Sequence, residues 1–193
     1  MSKCKGWTLF PFFKSYTRKK GLDILVKAYQ DVFEDCKNIP KLVIAGPGVD
    51  TPFGQQIQQL IVNAKLQSQV LFTGMLTGLA KWGAFYNCEA FILVSHQENF
   101  GIAVVEALAC SKPVLISYQI NIWREINEAG GGMVATDNIQ GANDLLVHWV
   151  GMKEREKLEM GIKARTCYDA NFAILPVAGK LLKALHSEQS AQT

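Results

Sequence analysis

Metal-ligand and disulfide patterns are missing from this sequence. Its five cysteines (Cys4, Cys36, Cys88, Cys110 and Cys167) are odd in number and scattered, and no two form a Cys-x-x-Cys pair. That argues against a disulfide-stapled scaffold and against a zinc site, and leaves reduced, buried thiols of a cytosolic protein as the simpler reading. The three histidines, His96, His148 and His186, show no ligand spacing. No apolar run approaches the ~20 residues that a membrane helix needs. Residues 1–6 carry two lysines but no apolar stretch with a cleavage site behind them, so no secretory signal is expected and the expected location is cytoplasmic. Charge of one sign is also scarce. Twenty Lys and Arg face 17 Asp and Glu, a net charge of +3, and no basic patch is interleaved with aromatics, so nucleic acid is not an expected partner. Repeats and low-complexity segments are lacking.

What is present is the balance of an ordinary globular domain. The chain has 193 residues, 49% of them hydrophobic and 19% charged, enough for one sizeable α/β domain with its own core. Leu22, Leu25, Val26, Tyr29, Val32 and Phe33 recur with helical period, as do Ile57, Leu60, Ile61 and Ala64. Short apolar runs at 9–13 (interrupted by Pro11), 41–45, 70–73, 90–94 and 113–117 predict strands. Further helices are predicted at 79–86, 101–110, 123–128, 139–149, 153–168 and 174–185. A short strand at 133–134 is expected after the Gly130-Gly131-Gly132 break. Strands alternating with helices predict a doubly wound parallel sheet with helices on both faces. Residues 1–186 are read as a single domain and 187–193 as a frayed tail. Such sheets bind ligands at the carboxyl ends of their strands, where the loops at Gly46, Gly74 and Glu98 fall.

The segment from Glu98 to Glu106 carries the chemistry. A strand, a short loop and a helix opening at Gly101 set free N–H groups and the positive end of a helix dipole toward the loop, a natural anion site. Glu106 lies in the otherwise apolar run Ile-Ala-Val-Val-Glu-Ala-Leu-Ala. There it is either an ion pair with a nearby Lys or Arg, an exposed helix face, or a bidentate acceptor for two adjacent ligand hydroxyls. Glu98 either complements the helix terminus or contacts a sugar at the reacting end. Glu106 stands five residues past Gly101, about 7.5 Å along the axis, so a pyrophosphate at the helix start places a hexose near Glu98 and a ribose near Glu106. Lys20, in Lys19-Lys20-Gly21, is a solvated turn residue or a cation for phosphate. Gly46-Pro47-Gly48 lacks dinucleotide-fingerprint spacing and reads as turn chemistry. Ser95 and His96 are adjacent in an extended segment and so point apart, which argues against a serine nucleophile. Met75 and Leu76 form either an apolar wall for a base or part of the core.

In order and spacing, these segments resemble the C-terminal half of a retaining glycosyltransferase of family 4 with the GT-B fold. The carrying pieces are Lys20-Gly21-Leu22-Asp23, Leu42-Val43-Ile44-Ala45-Gly46-Pro47-Gly48, Val70-Leu71-Phe72-Thr73-Gly74 and Tyr86-Asn87-Cys88-Glu89-Ala90. They continue through Ser95-His96-Gln97-Glu98-Asn99-Phe100-Gly101, Glu106-Ala107-Leu108-Ala109-Cys110 and Lys112-Pro113-Val114. The resemblance implies a Rossmann-like donor domain for a nucleotide diphosphate sugar. Lys20 then contacts the pyrophosphate, and Glu98 faces the hexose at the reacting centre. The N–H groups of Phe100, Gly101 and Ile102 meet phosphate or sugar, Glu106 binds the ribose, and the Gly74–Met75 turn lies beside the base. It implies no metal and no cofactor beyond the substrate, with stabilisation of the leaving diphosphate as the domain's catalytic contribution. Two departures stand out. The family's N-terminal acceptor domain is absent from this sequence, so the expected partners are that missing half or a second copy on its docking surface. The family's arginine before Lys-Gly is also absent, and Lys14 is its point-charge substitute. Codons for Lys14-Ser15-Tyr16-Thr17 exist that, read one base later, spell Ser-Arg-Ile-His, nearer the family pattern, as expected of a frame-shifted or truncated product. The alternatives are half of a nucleotide-sugar epimerase and a non-enzymatic module that binds a nucleotide sugar or a partner.

Overall fold

The computed structural model describes residues 7–10, 17–36, 39–174 and 178. Six strands form one sheet: β1 (Trp7–Phe10), β2 (Lys41–Ala45), β3 (Val70–Gly74), β4 (Cys88–Leu93), β5 (Val114–Ser117) and β6 (Gly132–Ala135). They are parallel throughout, in the order β3-β2-β1-β4-β5-β6. Helices α1 (Leu22–Asp35), α2 (Pro52–Asn63), α3 (Gly78–Asn87), α4 (Ile102–Ala109), α5 (Trp123–Ala129), α6 (Ile139–Gly151) and α7 (Glu154–Asn171) complete the described chain. None of them is long and apolar enough to cross a membrane.

The layering follows from handedness. From β1 the chain steps outward to β2 and β3, and from β4 it steps the other way to β5 and β6. Right-handed crossovers in opposite directions put their helices on opposite faces. Accordingly α1 packs against α2 and α6, while α7 packs against α4 and α5. Both faces being covered, β4 and β5 are apolar without alternation. Phe91, Ile92 and Leu93 lie opposite Val114, Leu115 and Ile116, and all six are buried.

Local chemistry sets the element ends. The Thr51 hydroxyl caps α2 by accepting from the Gly54 N–H (3.1 Å), with Pro52 at the first helical position. The Asn138 side chain caps α6 through the Gly141 N–H (2.8 Å). The triple glycine ends α5 at Gly130 and starts β6 at Gly132, as the break predicts. The first strand begins two residues earlier than the apolar run suggests and is described to Phe10. Residues 1–6, 11–16, 37–38, 175–177 and 179–193 lie outside the described residues, and with them Cys4, Lys14, His186, most of the predicted last helix and the tail.

Candidate functional site

The strand order reverses between β1 and β4, the place where open parallel sheets bind their ligands. After β1 the described chain resumes at Thr17 and makes a 3-10 turn of Arg18, Lys19 and Lys20. Gly21 follows with φ +66°, and a Cβ there would collide with the Val94 carbonyl oxygen at the end of β4. This close approach needs glycine on both counts. The Lys19 carbonyl accepts from the His96 N–H (2.7 Å) and from the Ser95 hydroxyl (2.9 Å). The Ser117 hydroxyl donates to the Ser95 carbonyl (2.5 Å). Ser95 and Ser117 are fully buried, and their hydroxyls tie together the chain after β1, after β4 and at the end of β5. Ser95 points inward and His96 outward, so the expectation that the two do not form a nucleophile–base pair holds.

Glu98 extends the sheet beyond β4. It bridges to Ile120, its N–H donates to the Gln119 carbonyl (3.0 Å), and its carbonyl accepts from Asn121 (3.2 Å). With its backbone fixed on both sides, its side chain forms an ion pair with Lys20 across the reversal point. Each side chain retains about a quarter of its exposure. A charge removed that far from water is stabilised by a partner, and each supplies the other's.

Helix α4 begins beside this pair. Gly101, at φ +69°, is its N-cap and brings no side chain to the first turn. A Cβ on Gly101 would lie 3.5 Å from Glu98 Cγ and 3.3 Å from Ile120 Cγ2. Val104 and Val105 N–H groups return to the Gly101 carbonyl (2.8 and 3.1 Å), while the earlier N–H groups face the loop as at any helix start. Phe100 and Ile102 flank Gly101 with exposed side chains, and Phe100 meets Phe172 edge-on at 6.1 Å. Lys20, Glu98, Phe100, Gly101 and Ile102 are therefore brought together at one end of α4.

Glu106 resolves differently from its sequence setting. It forms an ion pair with Lys81 of α3, so of its three readings the exposed face is excluded and the ion pair is realised. Lys81 also lies over the Trp82 ring at 5.0 Å. The pair uses Glu106 Oε1. Sequence reasoning missed Lys81. The only signal was a lone lysine in the 79–86 helix, and its partner is set by the long crossover from β3 back to β4.

Three further groups lie at the carboxyl ends of the strands. His96 Nδ1 and Asp137 Oδ2 are 2.7 Å apart, and Gln119 reaches Asp137 Oδ1 at 3.4 Å. The hydrogen bond from His96 holds the Asp137 carboxyl below its usual range. Arg18 reaches Gln56 of α2 (3.2 Å) and lies over the Phe53 ring. The Gly74–Met75 turn stands at the end of β3, with Gly74 at φ +66° and its carbonyl accepting from the Gly46 N–H (2.7 Å). Met75 is half exposed, which rules out its being core. Among the described residues no three His, Cys, Asp or Glu side chains are grouped as metal ligands.

Comparison with known proteins adds to this geometry. An O-antigen chain mannosyltransferase from Escherichia coli is 28% identical over 138 residues, covering 70% of this chain and 32% of the relative. The chain spans from 21% to 46% of the length of the curated relatives it matches here. The fold superposes on the C-terminal domain of a group 1 glycosyl transferase (LpcC) from Francisella tularensis with a TM-score of 0.74, at 19% identity, covering 89% of each chain. It superposes on Anabaena HepE, crystallised with UDP and glucose, with a TM-score of 0.78, at 17% identity, covering 95% of this chain and 49% of that one. Residues 5–165 match the profile of the family described as Glycosyl transferases group 1, and by that extent of agreement the chain belongs to this family.

Proposed function

We propose that this chain is the donor-binding, C-terminal part of a retaining family 4 glycosyltransferase, which moves a hexose from a nucleotide diphosphate sugar to a glycan or lipid acceptor without a metal. The observation that carries the reading is the Lys20–Glu98 pair across the reversal point, set against the uncapped start of α4. A diphosphate at the helix start takes over as counter-ion to Lys20 and accepts from the N–H groups of Phe100, Gly101 and Ile102. That releases the Glu98 carboxylate to accept from hexose hydroxyls. Lys81 occupies Glu106 Oε1, which leaves Oε2 for the ribose hydroxyls. The open Gly74–Met75 turn offers the base a backbone edge and an apolar side chain. As the bond from the anomeric carbon to the diphosphate breaks, negative charge grows on the departing phosphate. Lys20 and the helix start are placed to stabilise it, and the acceptor hydroxyl gives up its proton to that phosphate. The acceptor side of the cleft comes from the family's N-terminal domain.

Titration calorimetry with UDP, GDP and ADP tests the reading. One of the three binds, and at 100 times its Kd it stabilises the fold by about 2.7 kcal/mol. Glu106→Ala and Lys20→Met weaken that ligand at least about tenfold, the loss of one charge-assisted hydrogen bond. Binding of none of the three, or unchanged affinity in both variants, defeats the proposal.

A further inference from the structure

A hollow lies at the amino ends of the strands, beside the starts of β4 and β5. Its volume is about 330 Å³, the lower end of small-molecule sites and far above the ~30 Å³ share of one water molecule. Leu158 and Ile162 of α7 form an apolar, exposed lip. Glu89, Lys112, Trp149 and Lys157 supply the polar wall.

Trp149 is only 1% exposed. Even so, neither its Nε1 nor Glu89 Oε2, both buried, has a hydrogen-bond partner among the described residues. Lys157 Nζ stands 3.6 Å from Glu89 Oε2 and 3.7 Å from Glu154 Oε1, attracted by both but too distant for short hydrogen bonds. The same ammonium lies 4.9 Å from the centre of the Trp149 ring. Just behind the wall stand an N–H without an acceptor and a carboxylate oxygen whose cation, Lys157, is held at 3.6 Å. Two lysines balance two glutamates around it, so neither an anion nor a cation is favoured. A hydroxyl is the group that accepts from the indole and donates to the carboxylate at once.

We propose that this hollow is a second ligand site, for a neutral polyhydroxylated ring. A sugar hydroxyl accepts from Trp149 Nε1 and donates to Glu89, and the C–H face of the ring rests on Leu158 and Ile162. The site is separated from the Lys20–Glu98 crevice by the length of the strands and does not depend on the donor reading.

The test is an NMR titration of the full chain, labelled with ¹⁵N and observed at the Trp149 indole N–H, which Trp149→Phe identifies. Glucose, mannose and N-acetylglucosamine are added separately. At least one shifts the Trp149 signal saturably in the millimolar range. Glu89→Leu weakens that sugar by about tenfold or more, the loss of one buried hydrogen bond. Ile162→Trp, which fills the hollow from its exposed lip, abolishes the shift while the melting temperature stays that of the parent. No Trp149 shift with any of the three sugars overturns the proposal. So does a shift that survives both variants, or one reproduced equally by sodium sulfate. A UDP titration alongside reports on the donor crevice separately.

Discussion

Three glycines share one backbone conformation and differ in what surrounds them, which makes the seam at Gly21 measurable. Gly21, Gly74 and Gly130 all have φ +66°. Alanine in that region costs about 1–2 kcal/mol from the side chain alone. At Gly74 nothing lies within 4 Å of the added carbon, and at Gly130 it meets the flexible Lys163 side chain, nearest at 3.2 Å. At Gly21 it meets the Val94 carbonyl, buried backbone just past the end of β4, well inside the 3.0 Å that real Cβ atoms respect. The turn must then retreat by about 1 Å, because neither side is free to yield in a close-packed interior. That retreat stretches the two bonds to the Lys19 carbonyl from Ser95 and His96. Two hydrogen bonds at about 1 kcal/mol each, added to the strain, bring Gly21→Ala to about 3–4 kcal/mol. In a domain of this size each kcal/mol moves the melting temperature by about 2–4 °C. Gly74→Ala and Gly130→Ala are therefore expected to lose about 2–8 °C and Gly21→Ala about 6–16 °C. Lys20 travels with the turn, and a displacement of about 1 Å is enough to cost up to ~100-fold at a reacting centre, so on the proposed donor-binding reading nucleotide affinity falls in Gly21→Ala and holds in Gly130→Ala. Scanning calorimetry and nucleotide titration of the three variants read both effects. Equal melting shifts for Gly21→Ala and Gly74→Ala refute the argument.

Removing the Ser117 hydroxyl leaves the buried Ser95 carbonyl short of its donor, so Ser117→Ala is expected to cost about 1–3 kcal/mol in denaturant unfolding; an unchanged midpoint contradicts this. Asp137 has a folded pKa below its ordinary value of 3.8, chiefly through His96. A depressed carboxyl pKa stabilises above the ordinary value, and that contribution disappears as pH falls through the folded one. Melting curves of the parent and Asp137→Asn are thus expected to differ most above pH 3.8 and to converge as pH falls through the lowered folded value; a gap that persists in stronger acid argues against the pairing. Burial raises the thiol pKa of Cys110 and Cys167, and Cys88 is buried as well, whereas Cys36 is partly exposed. Iodoacetamide near neutral pH is expected to label Cys36 and to reach Cys88, Cys110 and Cys167 only after unfolding, with equal labelling rates at these four as the contrary result.

What the sequence shows and what it hides divides by range. The apolar runs that became β2, β4 and β5, and the heptad-like spacing from Leu22 to Phe33, are local signals, and they locate these elements to within two residues. Glycines at Gly46, Gly74 and Gly101 mark the strand and helix ends because each needs a backbone that side chains resist. Glu106 was conspicuous as a charge in an apolar helix, but its partner was not, since Lys81 reaches it only after the chain has crossed from β3 past β2 and β1. The same holds for the pairing of Lys20 with Glu98, 78 positions apart. Sequence places both near strand ends, whereas their meeting depends on which strands are neighbours. The Trp149 hollow had no local signature, because its walls come from β4, the turn before β5, α6 and α7.

The strand order also bears on the birth of the molecule. β1 precedes the other described strands in the chain, yet it occupies the middle of the sheet and is paired on both sides. One flank is satisfied early, when β2 arrives, but the other waits until β4 has been synthesised, some 80 residues later. During that interval a nascent chain presents a bare hydrogen-bonding edge, the kind of template that recruits foreign strands. Chains halted before Cys88 should therefore depend on chaperones far more than complete ones.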